Sequence, residues 1–174
     1  MNDAVAVGGH RPGSLSPVAI ARLIALLLPT ALLAGALGSQ YFGGLHPCEM
    51  CYWQRWPHGV AIVLALLAFT ASAQSQRSRA LTLLAALAIA ASGAVGVYHA
   101  GVEAKIFQGF TQCTAFGRGL SPAELLKQIS QAPLVRCDEV QFRFLGISMA
   151  GWNAILSLTG ASLILVLSLK ARRA

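Results

Sequence analysis

One short stretch has the residue types and spacing of redox chemistry: Pro47-Cys48-Glu49-Met50-Cys51-Tyr52-Trp53-Gln54-Arg55. Two cysteines separated by two residues can close a small, reactive disulfide or share a metal ion, and an arginine four positions after the second can steady a thiolate or an anionic ligand. A bridge between residues so close in sequence restricts the unfolded chain little, so stapling is a poor explanation of Cys48 and Cys51. A pair of this type carries one thiol of lowered pKa, a thiolate near neutral pH.

Two further cysteines, Cys113 and Cys137, lie apart in a longer polar segment. Closing that loop would contribute about 3 kcal/mol as an inert staple, so a structural and a redox role are both open for this pair. A four-cysteine zinc site is disfavoured, because Cys113 and Cys137 lack the close spacing of zinc ribbons and an oxidising compartment works against a thiolate cage. No metal is expected. Attachment of a c-type haem is excluded by Tyr52, which stands where that motif needs histidine. Arg55 reads either as an interfacial anchor or as the charge that stabilises a Cys51 thiolate and a bound electron acceptor. His58 and His99, each placed at a span end, could donate a hydrogen bond to a carbonyl at the membrane surface or simply be solvated.

The elements that must position these residues are membrane spans. Of the 174 residues, 56% are hydrophobic and 11% charged, proportions that a small soluble protein could hardly keep in solution. The net charge of +7 is scattered singly or placed beside apolar runs, with no basic stripe interleaved with aromatics, so orientation in a membrane explains it and nucleic-acid binding does not. The expected fold is an all-α, four-helix transmembrane bundle forming a single integral membrane domain over residues 1–174. Residues 1–17 are rich in Gly, Pro and Ser and read as a mobile leader; an alternative takes 15–36 as a secretory signal peptide ending at Ala34-Gly35-Ala36.

Spans are expected at about 18–38, 56–73, 80–97 and 147–169, each near the roughly 20 residues that about 30 Å of hydrocarbon requires. Arg22, one turn inside the first span, would snorkel to the headgroups, and Pro29 would kink that helix. Trp53 and Trp56 open the second span as interfacial anchors. Ser92, Gly93 and Gly96 make the third a packing helix whose small residues admit a close neighbour. Between the third and fourth spans, Ser121-Pro122-Ala123-Glu124 has the form of a capping box and starts a short amphipathic helix, expected to lie on the membrane surface. Arg11, Arg77, Arg79, Lys170, Arg172 and Arg173 fall on one side, which the positive-inside rule makes cytoplasmic. Both termini are then cytoplasmic, and all four cysteines face the periplasm.

Four spans, Cys48-x-x-Cys51-x-x-x-Arg55 between the first and second, a separated cysteine pair between the third and fourth, and Gly146-Ile147-Ser148-Met149-Ala150-Gly151-Trp152-Asn153 opening the last resemble the DsbB family of disulfide bond formation proteins. The resemblance covers nearly the whole chain. It implies a bacterial inner-membrane thiol:quinone oxidoreductase in which a soluble, periplasmic DsbA-like dithiol oxidase attacks the disulfide of Cys113 and Cys137, with Cys113 forming the mixed disulfide. Cys137 would then exchange with Cys48, freeing Cys51 to pass electrons to ubiquinone or menaquinone. Arg55 and His99 are the implied quinone contacts. Two readings of other kinds compete: an enzyme like vitamin K epoxide reductase, in which the CxxC lies in a later helix, and a non-enzymatic membrane scaffold with structural disulfides.

Overall fold

The structure is a computed structural model, and it describes residues 16–108, 121–123, 126 and 135–173. Those residues form four helices and one small hairpin: α1 (Pro17–Tyr41), α2 (Glu49–Phe69), α3 (Gln76–Glu103), β1 (Arg143–Phe144), β2 (Ile147–Ser148) and α4 (Met149–Arg173). α3 packs along both α2 and α4, and α1 closes the opposite side against the same two helices. The helices therefore follow one another around a bundle, with α1 and α3 across its diagonal.

Each helix starts where the sequence supplies a side-chain acceptor for an orphan N–H. Ser16 Oγ accepts from Ala19 N at 3.3 Å with Pro17 next in line, and Ser75 Oγ accepts from Ser78 N at 3.1 Å. α2 is capped by a thiol: Cys48 Sγ accepts from Cys51 N at 3.4 Å. Ser148 Oγ accepts from Gly151 N at 3.1 Å at the head of α4. That helix begins at Met149, two residues later than expected, because Ile147 and Ser148 pair with Phe144 and Arg143 as a hairpin. Its turn, Leu145-Gly146, has φ of 51° and 80°, the left-handed pair that matches the twist of two-residue hairpins.

Among the described residues three helices are long and apolar enough to cross a membrane: Pro17–Tyr41, Gln76–Glu103 and the Met149–Lys170 part of α4. α2 is the exception, because it is seven residues longer at its start than the expected second span and spends its first turns on Glu49, Gln54, Arg55 and His58. The CxxC is thus the opening turn of a helix rather than part of a loop.

The centre of the bundle is built from small residues: Ala21 and Ala25 of α1, Ala61 and Ala65 of α2, and Ala85 and Ala86 of α3 meet around Ile89 and Ile164. The close approach expected of Gly93 and Gly96 is present at α4. A Cβ on Gly96 would lie 3.0 Å from Ala154 N and 3.1 Å from Ala150 O, and one on Gly93 would lie 2.9 Å from Leu158. Trp53 and Trp56 face outward, as anchors should.

Arg22 departs from expectation. It is only 7% exposed and does not snorkel; a terminal guanidinium nitrogen donates to Ala68 O at 2.9 Å and Ala71 O at 3.4 Å, and the group stacks over Phe69 at 4.3 Å. It caps the C-terminal end of α2, where free carbonyls and the negative end of the helix dipole attract a cation. Of the short helix expected from Ser121, Pro122, Ala123 and Leu126 are helical; Glu124, Leu125 and Ile129 lie outside the described residues.

Candidate redox site

Cys48 and Cys51 are brought together by the first turn of α2, which sets residues three apart on one face. Their sulfurs lie 3.0 Å apart, Cys48 is 4% exposed and Cys51 is half-buried. The two thiols are unequal. The hydrogen bond from the Cys48 thiol, then a bond from the Cys48 backbone and the Arg55 charge, lower Cys51 to about 7 against the opposing effects of burial and of the Glu103 charge. Its bond to Cys51 and its own burial push Cys48 far above the ordinary thiol range. One proton shared between two sulfurs therefore stays on Cys48, and Cys51 is the thiolate.

Arg55, one turn after Cys51, is held by α1. Its guanidinium donates to Gln40 Oε1 at 2.5 Å and to Ala36 O at 3.1 Å, and it lies 5.2 Å from the centre of the Tyr52 ring. These bonds fix the charge beside the CxxC rather than leaving it to wander in the headgroups, as a simple interfacial anchor would.

His99 comes from the far end of α3 and is buried against Cys48, with Nε2 3.5 Å from Cys48 Sγ. Its tautomer follows from the partners on its other side. Gln54 Nε2 lies 3.2 Å from Met50 O, a carbonyl that can only accept, so the amide nitrogen of Gln54 points that way and also donates to His99 Nδ1 at 2.8 Å. The His99 proton is consequently on Nε2, the nitrogen that faces Cys48. The backbone of Cys137 also bonds to the His99 ring, and Cys137 is buried in one cluster with Cys48, Met50 and Val102. Glu103, one turn beyond His99, brings Oε1 to 3.9 Å from His99 Nε2 and is hydrogen-bonded to Ser148.

The Cys137 segment is fastened from outside. Asp138 accepts from Lys105 Nζ at 2.6 Å and from Arg136 at 2.8 and 2.9 Å, which hold its carboxyl well below the usual carboxylate range, and Gln141 donates to His46 O at 2.7 Å. Cys113 lies outside the described residues.

Beside the CxxC is a cavity of about 570 Å³ between α1, α2 and α4. Ala31, Leu32, Gly35 and Met149 form apolar wall, while Cys51, Arg55, His58 and His99 put polar groups at it. Cys48 Sγ, Cys51 Sγ and a His99 ring nitrogen lie within 4.8 Å of one another and have the chemistry to hold a soft cation when the thiols are reduced.

The family described as disulfide bond formation protein DsbB matches residues 19–167. The chain belongs to the DsbB family. Disulfide bond formation protein B of Acidovorax sp. (strain JS42) is 31% identical over 160 residues, 87% of this chain and 89% of that protein. The protein of the same name from Xylella fastidiosa (strain 9a5c) is 28% identical over 156 residues, 87% of this chain and 90% of that one. An uncharacterized protein of Rickettsia prowazekii (strain Madrid E) is 25% identical over 142 residues, 80% and 81% of the two chains. No solved structure matches. As a DsbB-family member the chain is a multi-pass membrane protein with a redox role in disulfide bond formation, and the scaffold reading is set aside.

Sequence reasoning had marked Cys48, Cys51, Arg55, His58, His99 and Cys137 of this DsbB-family chain, and the structure gathers them around α2. It had passed over Gln54, Ser92, Glu103 and Asn153. Ser92 and Asn153 carried a signal, because polar residues inside apolar spans are expensive and seldom idle, whereas Gln54 and Glu103 fell outside the expected spans.

Proposed function

We propose that this chain is a thiol:quinone oxidoreductase of the bacterial inner membrane, which reoxidises a periplasmic DsbA-like dithiol oxidase and delivers the electrons to a membrane quinone. In this reading residues 1–174 act as one integral membrane domain with α2 from Trp56 onward as the remaining span, both termini are cytoplasmic, and the cysteines are periplasmic. The observation that carries it is the unequal Cys48–Cys51 pair opening into the cavity beside Arg55, with Cys137 packed against Cys48 on the other side.

The partner's thiolate attacks Cys113, breaking a Cys113–Cys137 disulfide, and its second thiol resolves the mixed disulfide and leaves the partner oxidised. Cys137, released as a thiolate, attacks Cys48 and breaks the Cys48–Cys51 disulfide. Cys51 then leaves as the thiolate, which the low pKa of its thiol and the Arg55 charge both favour. Cys113, freed when the partner leaves, attacks Cys137 and releases Cys48, which restores the Cys113–Cys137 disulfide. The Cys48–Cys51 bond then closes from the two reduced cysteines as two electrons and two protons leave, with the Cys51 sulfur as the electron donor.

The cavity residues fit a quinone. The apolar wall suits a ring with a hydrocarbon tail, and Arg55 offers a fixed cation for developing negative charge. When bound, a quinone supplies the two-electron oxidant that thiol exchange lacks, since DsbA-type partners are themselves strongly oxidising, near about −120 mV. Ubiquinone and menaquinone both meet this description. Arg55 and His99 are the proposed contacts.

Stopped-flow absorbance of the quinone on purified variants tests the scheme. Cys51→Ala is expected to abolish quinone reduction, and Cys113→Ala to block reaction with the soluble partner while leaving quinone binding largely intact. Normal turnover by Cys51→Ala would sink the proposal.

A further inference from the structure

His58 is held in a second polar cluster, deeper in the bundle than the cysteines and unused in the scheme above. Its ring is 3% exposed and lies between α2, α3 and α4. Nε2 is 2.8 Å from Asn153 Oδ1 and 2.9 Å from Ser92 Oγ. The proton on this ring can be placed from its neighbours, as it was for His99. Gln54 points its amide nitrogen at Met50 O, so its Oε1 is free to accept, and it does so from Asn153 Nδ2 at 2.8 Å. The same Asn153 nitrogen lies 3.2 Å from Ser92 O, again an acceptor only. Asn153 therefore turns its oxygen to His58, and an oxygen there requires a proton on Nε2. Ser92 agrees, because its hydroxyl proton is committed to Gln54 O at 2.8 Å, which leaves Ser92 Oγ to accept.

With Nε2 donating, Nδ1 carries a bare lone pair. That atom is buried without a hydrogen-bond partner, and the ring lines the cavity. A buried acceptor left unmatched costs free energy that a ligand donor would recover. A quinone carbonyl has no proton to give; a quinol hydroxyl has. The direction is opposite to the one His58 would take as a donor to a carbonyl.

We propose that His58 Nδ1 accepts a hydrogen bond from a hydroxyl of the reduced carrier, so that the cavity holds a quinol more tightly than His58-free protein would, with little effect on the matching quinone. Ser92, Asn153 and Gln54 are positioning residues that fix the tautomer. The inference rests on the reading that a quinone and its quinol occupy this cavity.

The test uses the full chain in detergent carrying Cys48→Ser and Cys51→Ser, so that neither form of the carrier can react there. Equilibrium binding of decylubiquinol and decylubiquinone is measured by calorimetry with His58 intact and with His58→Phe. Replacement of His58 is expected to weaken quinol binding about tenfold and quinone binding less than about twofold. An equal loss for both forms, or no loss for either, overturns the proposal.

A second measurement needs no change at His58. In protein labelled with ¹⁵N-histidine, with the His58 signals assigned against single variants of the other three histidines, Nδ1 should be unprotonated and should shift on saturation with quinol but not with quinone. A protonated Nδ1 with a bare Nε2 overturns the proposal. If neither form binds while His58 is intact, the carrier reading itself fails, an outcome distinct from loss of discrimination between the two forms.

Discussion

The inequality of the two CxxC thiols makes a quantitative prediction. With Cys51 at about 7, about half of it is thiolate at pH 7, whereas an ordinary cysteine near 8.5 would be about 3% thiolate. The largest cause is the hydrogen bond from Cys48, so Cys48→Ala should raise the Cys51 midpoint by more than Arg55→Gln, which removes a smaller charge effect. Losing about 1.5 units would cut the thiolate fraction at pH 7 roughly fifteenfold, but a thiolate of higher pKa is intrinsically more nucleophilic, with a Brønsted slope of about 0.5. The two effects leave a net rate loss of only about threefold at that pH. The midpoint is the better observable. Reduced protein with Cys113→Ala and Cys137→Ala would be alkylated with iodoacetamide from pH 5 to 10 and the modification of Cys51 followed by site-resolved mass spectrometry. The rate should rise through about pH 7 and level off above it, and the midpoint should move up in Cys48→Ala. A wild-type midpoint near 8.5 or above, or a larger shift in Arg55→Gln than in Cys48→Ala, would refute the assignment of the proton to Cys48.

Other substitutions probe the frame around the pair. Gly96→Ala places a Cβ about 3 Å from backbone atoms of α4 and should cost roughly 1–3 kcal/mol in denaturant titrations, while Gly59→Ala, with open space around it, should be neutral or stabilising by up to about 1 kcal/mol. Arg22→Leu strips the cap from the end of α2 and should lose about 1–3 kcal/mol by the same measurement. Arg55→Ala should raise the quinone KM about tenfold or more while lowering Tm only a few degrees; an unchanged KM would count against its role as a contact.

Much of the frame was legible because hydrocarbon imposes a simple rule on sequence. Runs without charge marked α1 and α4 closely and only the middle of α3, which extends beyond the expected 80–97 to Gln76 and Glu103, and Ser92, Gly93 and Gly96 marked the face of α3 that α4 approaches. The start of α2 was hidden by its own chemistry: Gln54 and Arg55 read as loop residues and His58 as a span-end residue, yet each bonds to a neighbouring helix and so can sit in the opening turns. Arg22 was misread for a related reason, since its partners are backbone carbonyls at Ala68 and Ala71, which leave no trace in side-chain patterns. In the site, the CxxC and Arg55 announced themselves by spacing. The Gln54–Asn153 contact joins residues far apart in the chain, and the direction of a hydrogen bond at His58 depends on that contact rather than on histidine itself.

The two histidines are tied to a single amide. The carbonyl of Met50 orients Gln54, and Gln54 then dictates the proton position on His99 directly and on His58 through Asn153. A glutamate at position 54 would have no N–H to offer while ionised, so His99 would have to keep its own proton on Nδ1 to meet the carboxylate. Its bare Nε2 would then face Cys48. The same imidazole that now presents a proton to that sulfur would stand ready to withdraw one, and the choice of which thiol in the pair stays protonated would pass from the cysteines to residue 54.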